Sequence, residues 1–85
     1  MSGQLVTYTA SVLFSTMSDA DAAYWRDVAT GKSRDLTWDT KLPAAVKAET
    51  IDKVLALSSI QDVSTSASLS ENEAGLVVTT TARTR

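Results

Sequence analysis

Histidine and cysteine are both missing from these 85 residues, and each absence closes a route to chemistry. Without His the chain lacks the side chain that most often works as a general base near neutral pH. Without Cys it lacks the strongest common nucleophile, the thiolate metal ligand and any disulfide framework. For a small domain the missing disulfides favour an intracellular or virion setting over a secreted one. Glycine occurs three times, at Gly3, Gly31 and Gly75, too far apart for a phosphate-cradling loop. Neither Ser-x-x-Lys nor Gly-x-Ser-x-Gly occurs. No apolar run approaches the length of a membrane span, and the start Met1-Ser2-Gly3-Gln4 has no basic leader character, so the expectation is a soluble, cytoplasmic or virion-associated protein.

Charge is scarce in a patterned way. Eight Lys and Arg against ten Asp and Glu leave a net charge of −2, with neither the basic stripe of a nucleic-acid binder nor the strong acidity of a DNA mimic. Residues 1–18, Val63–Ser70 and Ala74–Ala82 carry no charged side chain at all. Hydrophobic residues make up 44% of the chain, enough for one modest core, and residues 1–85 read as a single domain.

What is present divides cleanly by period. From Val6 to Phe14 the even positions are Val, Tyr, Ala, Val and Phe, and the odd ones are mostly Thr and Ser. A period of two held that long predicts a half-buried strand over about 4–15. Ser18 then suits a helix N-cap, with Asp21 completing a Ser-x-x-Asp capping box and Met17 set to fold over Ala22. Ala22, Trp25, Val28 and Ala29 form a helical stripe over 19–30, closed by Gly31 at C′. After a polar connection containing Leu36 and Trp38, Pro43 opens a second helix over 43–58, with Ala44, Ala48, Ile51, Val54 and Leu55 on one face. The charge-free runs after it, around a turn at 70–75 where Asn72 and Gly75 suit positive φ, predict a hairpin over about 62–82. A Ser-rich disordered tail is the alternative, and Leu76-Val77-Val78 argues against it. The order β-α-α-β-β predicts a small α+β domain, a three-stranded antiparallel sheet with two helices packed on one face.

No catalytic, cofactor-binding or metal-ligating constellation emerges. Asp19 and Asp21 are two apart on a helix, so they do not face each other and serve the cap; Glu71 and Glu73 read as solvated turn charges. Threonines in Thr7-Tyr8-Thr9 and Thr79-Thr80-Thr81 resemble the ranks of ice-binding surfaces but are too few for one. A helix pair followed by a hairpin also matches a winged-helix outline, yet the second helix is neutral where a DNA reader would be basic. Trp38 lies among Arg34, Asp35, Asp39 and Lys41. It reads either as a lid over the core or, with Arg34 and Lys41, as an interface anchor.

The charge-free strands carry the functional expectation. Exposed sheet edges usually bear Lys, Pro or inward charges that prevent edge-to-edge pairing, and these strands bear none. The sequence therefore points to a non-enzymatic protein–protein interaction module, either self-assembling or a small inhibitor of a larger protein. Its partner would dock on the outward residues Thr7, Thr9 and Ser11, flanked by Leu5 and Leu13. Its Ser/Thr/Ala-rich composition suits an accessory protein of a bacterial virus. Neither a cofactor nor a small-molecule substrate is implied, and no membrane partner. The alternative is a nucleic-acid-associated regulator using Lys32, Arg34, Lys41, Lys47, Arg83 and Arg85.

Overall fold

The computed structural model describes residues 3–85 and shows the α+β domain expected, with a three-stranded antiparallel sheet under a helical layer. Strand β1 spans Leu5–Leu13 and runs into a single 3-10 turn at Phe14–Thr16. Helix α1 spans Asp19–Ala29, and a second 3-10 turn covers Trp38–Lys41 in the connection. Helices α2 (Ala44–Glu49) and α3 (Ile51–Leu55) follow, then strands β2 (Ile60–Leu69) and β3 (Gly75–Thr84). The sheet order is β1-β3-β2, so the last strand is the middle one and both β1 and β2 are outer strands.

The alternation in β1 does what its period requires. Val6, Tyr8, Ala10 and Val12 turn toward the helices, while Leu5, Thr7, Thr9, Ser11 and Leu13 are exposed on the other side. On the middle strand Leu76, Val78, Thr80 and Ala82 are buried on the helix side. Ala10, Leu76 and Val78 from the sheet and Phe14 from the turn after β1 meet Ala22 and Trp25 of α1, Leu42, and Val46 of α2 in one core.

Helix α1 begins as its sequence specifies. The Asp21 backbone N–H donates to Ser18 Oγ at 3.2 Å, and Gly31 takes the left-handed conformation at φ +79° just past the end. Arg26 reaches back over the Phe14 ring at 4.6 Å, tying the helix to the 3-10 turn before it.

The second helical segment departs from expectation. It breaks at Thr50, which sits at φ −123°, ψ −76° between α2 and α3, and it ends at Leu55 rather than near Ser58. The Thr50 hydroxyl donates to the Val46 carbonyl at 2.9 Å, competing with the helical ladder as buried Ser and Thr do. The bend changes which residues are inside. Val46, Thr50 and Val54 are buried, whereas Ala44, Ala48 and Leu55 of the anticipated stripe are exposed.

The hairpin turn also finds its own solution. Glu73, not Asn72 or Gly75, takes the positive φ, at 58°. Asn72 works instead as an acceptor, receiving the Ser70 hydroxyl at 2.9 Å and the Ala74 backbone N–H at 3.1 Å. Gly75 is needed for a close approach, since a Cβ there would lie 2.8 Å from the Val12 carbonyl oxygen of β1.

Candidate functional site

The sheet face turned away from the helices is left uncovered by the described residues. Pairing places its residues in cross-strand rows. Thr7 of β1 lies opposite Thr81 of β3, which lies opposite Ser64 of β2; the next row is Thr9, Thr79 and Ser66, and the next Ser11, Val77 and Ser68. Eight of these nine side chains end in a hydroxyl. Thr7 and Thr81 approach within 3.4 Å through their Oγ1 atoms. Charge enters only at one end, in the row Leu5, Arg83 and Asp62.

Short hydroxyl side chains give this face a distinct chemistry. They offer donors and acceptors in registered rows and lose little rotamer freedom when covered. No ion has to be stripped of water over the central rows, so a covering surface meets no charge-desolvation cost there. Apolar contact is available at both ends of β1, where Leu5 is 64% and Leu13 55% exposed.

Thr7, Thr9 and Ser11 thus lie together on the open face. Trp38, Arg34 and Lys41 belong to the connection after α1, in the helical layer on the opposite side of the sheet, so the two groups do not form one site. Trp38 is half-buried and packs edge-on against Trp25 with ring centroids 6.4 Å apart. Its neighbour Leu36 is 90% exposed.

A polar clasp that the sequence did not reveal fixes this connection to α1. Asp35 accepts from the Tyr24 hydroxyl at 2.7 Å and from Lys41 Nζ at 2.6 Å on one carboxylate oxygen. The other oxygen accepts from the Thr37 hydroxyl at 2.6 Å and the Thr37 backbone N–H at 2.9 Å. These donors, led by Lys41 and then Thr37, hold the Asp35 carboxyl well below the usual carboxylate range. Tyr24 is pushed up to about 12, first by burial and then by its bond to the Asp35 carboxylate and that group's charge. The only signal for the clasp was the density of hydroxyls and charges around Trp38, and such density does not specify a partner.

Of the cations in the nucleic-acid alternative, Lys41 is engaged by Asp35, Lys47 lies on α2, and Arg83 stands on the open sheet face. They are distributed over both sides of the domain. Among the described residues no three His, Cys, Asp or Glu side chains cluster as metal ligands, and no helix is long and apolar enough to cross a membrane. Compared with known proteins, the chain matches no family model, no curated protein and no solved structure.

Proposed function

We propose that this protein is a non-enzymatic interaction module that binds protein through its sheet. The observation that supports the reading is the open face itself: three registered rows of uncharged, mostly hydroxyl side chains, bounded by exposed Leu5 and Leu13. A nucleic acid would call for cations over that area, and among the described residues the paired rows of the face hold one, Arg83, beside Asp62. A protein surface with its own hydrogen-bonding groups and small apolar contacts is the better complement. The outer strands add unpaired main-chain groups, which a partner strand can satisfy. A small inhibitor of a larger protein and a self-assembling component are both forms of this activity, and an accessory role in a bacterial virus is one setting for it.

The test is affinity capture from the native host with wild type and two variants. Thr79→Lys plants a cation at the centre of the open face; Leu36→Lys plants one on the exposed connection of the helical layer. Any captured protein other than this chain itself is expected to be lost with Thr79→Lys and retained with Leu36→Lys. Capture that survives Thr79→Lys and disappears with Leu36→Lys would move the binding surface to the other side of the domain.

A further inference from the structure

The two outer strands differ in a way that selects a partner. Read outward from Thr9, β1 gives Tyr8 and Ala10, then Thr7 and Ser11, then Val6 and Val12, then Leu5 and Leu13. The strand is nearly the same in both directions. Nothing in it is charged, and its pairing with β3 runs without a bulge. Such a strand can meet a second copy of itself antiparallel, residue type against like residue type.

The main-chain hydrogen bonds agree with that arrangement. Phe14 N–H donates to the Ala74 carbonyl at 3.0 Å and Thr84 N–H donates to the Gln4 carbonyl at 2.9 Å, continuing the β1–β3 ladder at its two ends. Hydrogen-bonded pairs alternate in an antiparallel ladder, so the even residues of β1 bond to β3. The N–H and C=O groups of Leu5, Thr7, Thr9 and Ser11 and the N–H of Leu13 therefore point to the free edge, while the Leu13 carbonyl already accepts the Thr16 hydroxyl at 2.7 Å. These are the residues that a two-fold axis through Thr9 would pair with one another.

We infer that the chain forms a two-fold dimer through β1, with the axis at Thr9 and normal to the sheet. This deepens the reading of the sheet as a protein-binding surface, on which it rests, by naming the partner as a second copy of the chain. In that pairing Thr9 meets the partner's Thr9, and Thr7 meets the partner's Ser11. Leu5 covers the partner's Leu13, bringing together the two exposed leucines of the open face. On the helix side Val6 meets the partner's Val12, and the large Tyr8 meets the partner's small Ala10. The two sheets join into one, with both helical layers on the same side. β1 itself brings no charge to the new edge, and the nearest cation on its helix side, Lys53 Nζ, stands over the Tyr8 ring at 5.8 Å.

The other outer strand offers no such match. β2 carries a register shift between Ile60 and Asp62, and both Gln61 and Asp62 lie in it. Read outward from Thr65 it would set Asp62 against Ser68 and Gln61 against Leu69. Bulges and charges of this kind are what keep an edge unpaired.

Sedimentation velocity on the full chain is expected to show a dimer for wild type and for Ser66→Lys on β2. Thr9→Lys sets two cations side by side at the axis, on a side chain that the isolated domain leaves exposed, and is expected to sediment as a folded monomer by circular dichroism. Because the chain has no cysteine, Thr9→Cys supplies a single thiol per protomer. A short thiol-to-thiol linker is expected to join Thr9→Cys chains in pairs while leaving Leu36→Cys chains single, which keeps the inference testable should Thr9→Lys fail to fold. A wild-type monomer, or a dimer indifferent to Thr9→Lys and unlinked through Thr9→Cys, overturns it. The failures are separable: a monomer whose captured partner is still lost with Thr79→Lys discards the second copy and keeps the sheet as the binding surface.

Discussion

Along β3 the two faces of the sheet alternate residue by residue. Leu76, Val78, Thr80 and Ala82 are buried beneath the helices, and Val77, Thr79 and Thr81 remain partly exposed on the far side. Three consecutive threonines therefore experience two environments. Thr79 and Thr81 join rows of hydroxyls that solvent can reach, and Thr81 approaches Thr7 at 3.4 Å. Thr80 is fully buried, and its hydroxyl has no hydrogen-bond partner among the described residues. The same side chain favours an open, wettable surface on one face and opposes burial on the other. What separates the faces is cover, not strand propensity, since threonine suits a strand equally at all three positions.

If cover is the difference, truncation on the two faces must have unequal costs. Leu76→Ala removes a fully buried side chain from beneath the helices and is expected to destabilise by about 2–5 kcal/mol. Thr79→Ala, three residues along on the open face, is expected to cost less than about 1 kcal/mol. Urea unfolding followed by far-ultraviolet circular dichroism measures both. Equal losses would mean that the open face is as tightly held as the core, and the comparison would collapse.

Thr80→Val sharpens the contrast on the covered side alone. The substitution keeps the branched shape and replaces the unpartnered hydroxyl with a methyl group. It is expected to raise stability by about 1 kcal/mol in the same assay, because a buried polar group without a partner has lost its water and gained nothing. A destabilising Thr80→Val would indicate that the hydroxyl has found water beneath the helices.

The faces themselves were legible in the sequence because period is a local property. The alternation from Val6 to Phe14 assigns each residue to a side, and the stripe Ala22, Trp25, Val28, Ala29 does the same for α1, with Ala22 and Trp25 buried. Which strands become neighbours is not local. The pairing of β1 with β3 joins Val6 to Ala82, and nothing in either strand's period specifies that β3 rather than β2 takes the middle. The break at Thr50 was hidden for a related reason. A helical pattern from Pro43 onward looks continuous until a buried threonine finds the Val46 carbonyl, and burial is settled only by the sheet beneath. On the candidate surface, Thr7, Thr9 and Ser11 were identifiable by parity. Their alignment with Thr81, Thr79 and Val77 depended on register. Trp38 was ambiguous for want of its contact with Trp25, and the Asp35 clasp for want of a partner eleven residues upstream.

The smallest effect belongs to that clasp, and it tests whether the helical layer responds to pH independently of the sheet. Asp35 is held below the ordinary carboxylate range, so in the folded chain it stays ionised where the unfolded chain would already bind a proton. Its contribution is therefore present above the unfolded value, about 3.9, and is lost as pH falls through the lower folded value. At the alkaline end Tyr24, raised to about 12 from an ordinary 10.0, contributes stability below pH 10.0 that declines as pH rises toward 12. Lys41 and Tyr24 release the carboxyl on the helix side only, so acid is expected to alter tryptophan fluorescence through Trp38 and Trp25 before the sheet signal changes. In Asp35→Asn that early acid step should vanish, and in Tyr24→Phe the late alkaline step that belongs to Tyr24 should vanish. Fluorescence and sheet signals that move together in wild type would show that the connection and the sheet unfold as one unit. The helical layer would then be no more separable from the open face than Thr80 is from Thr79 along the chain.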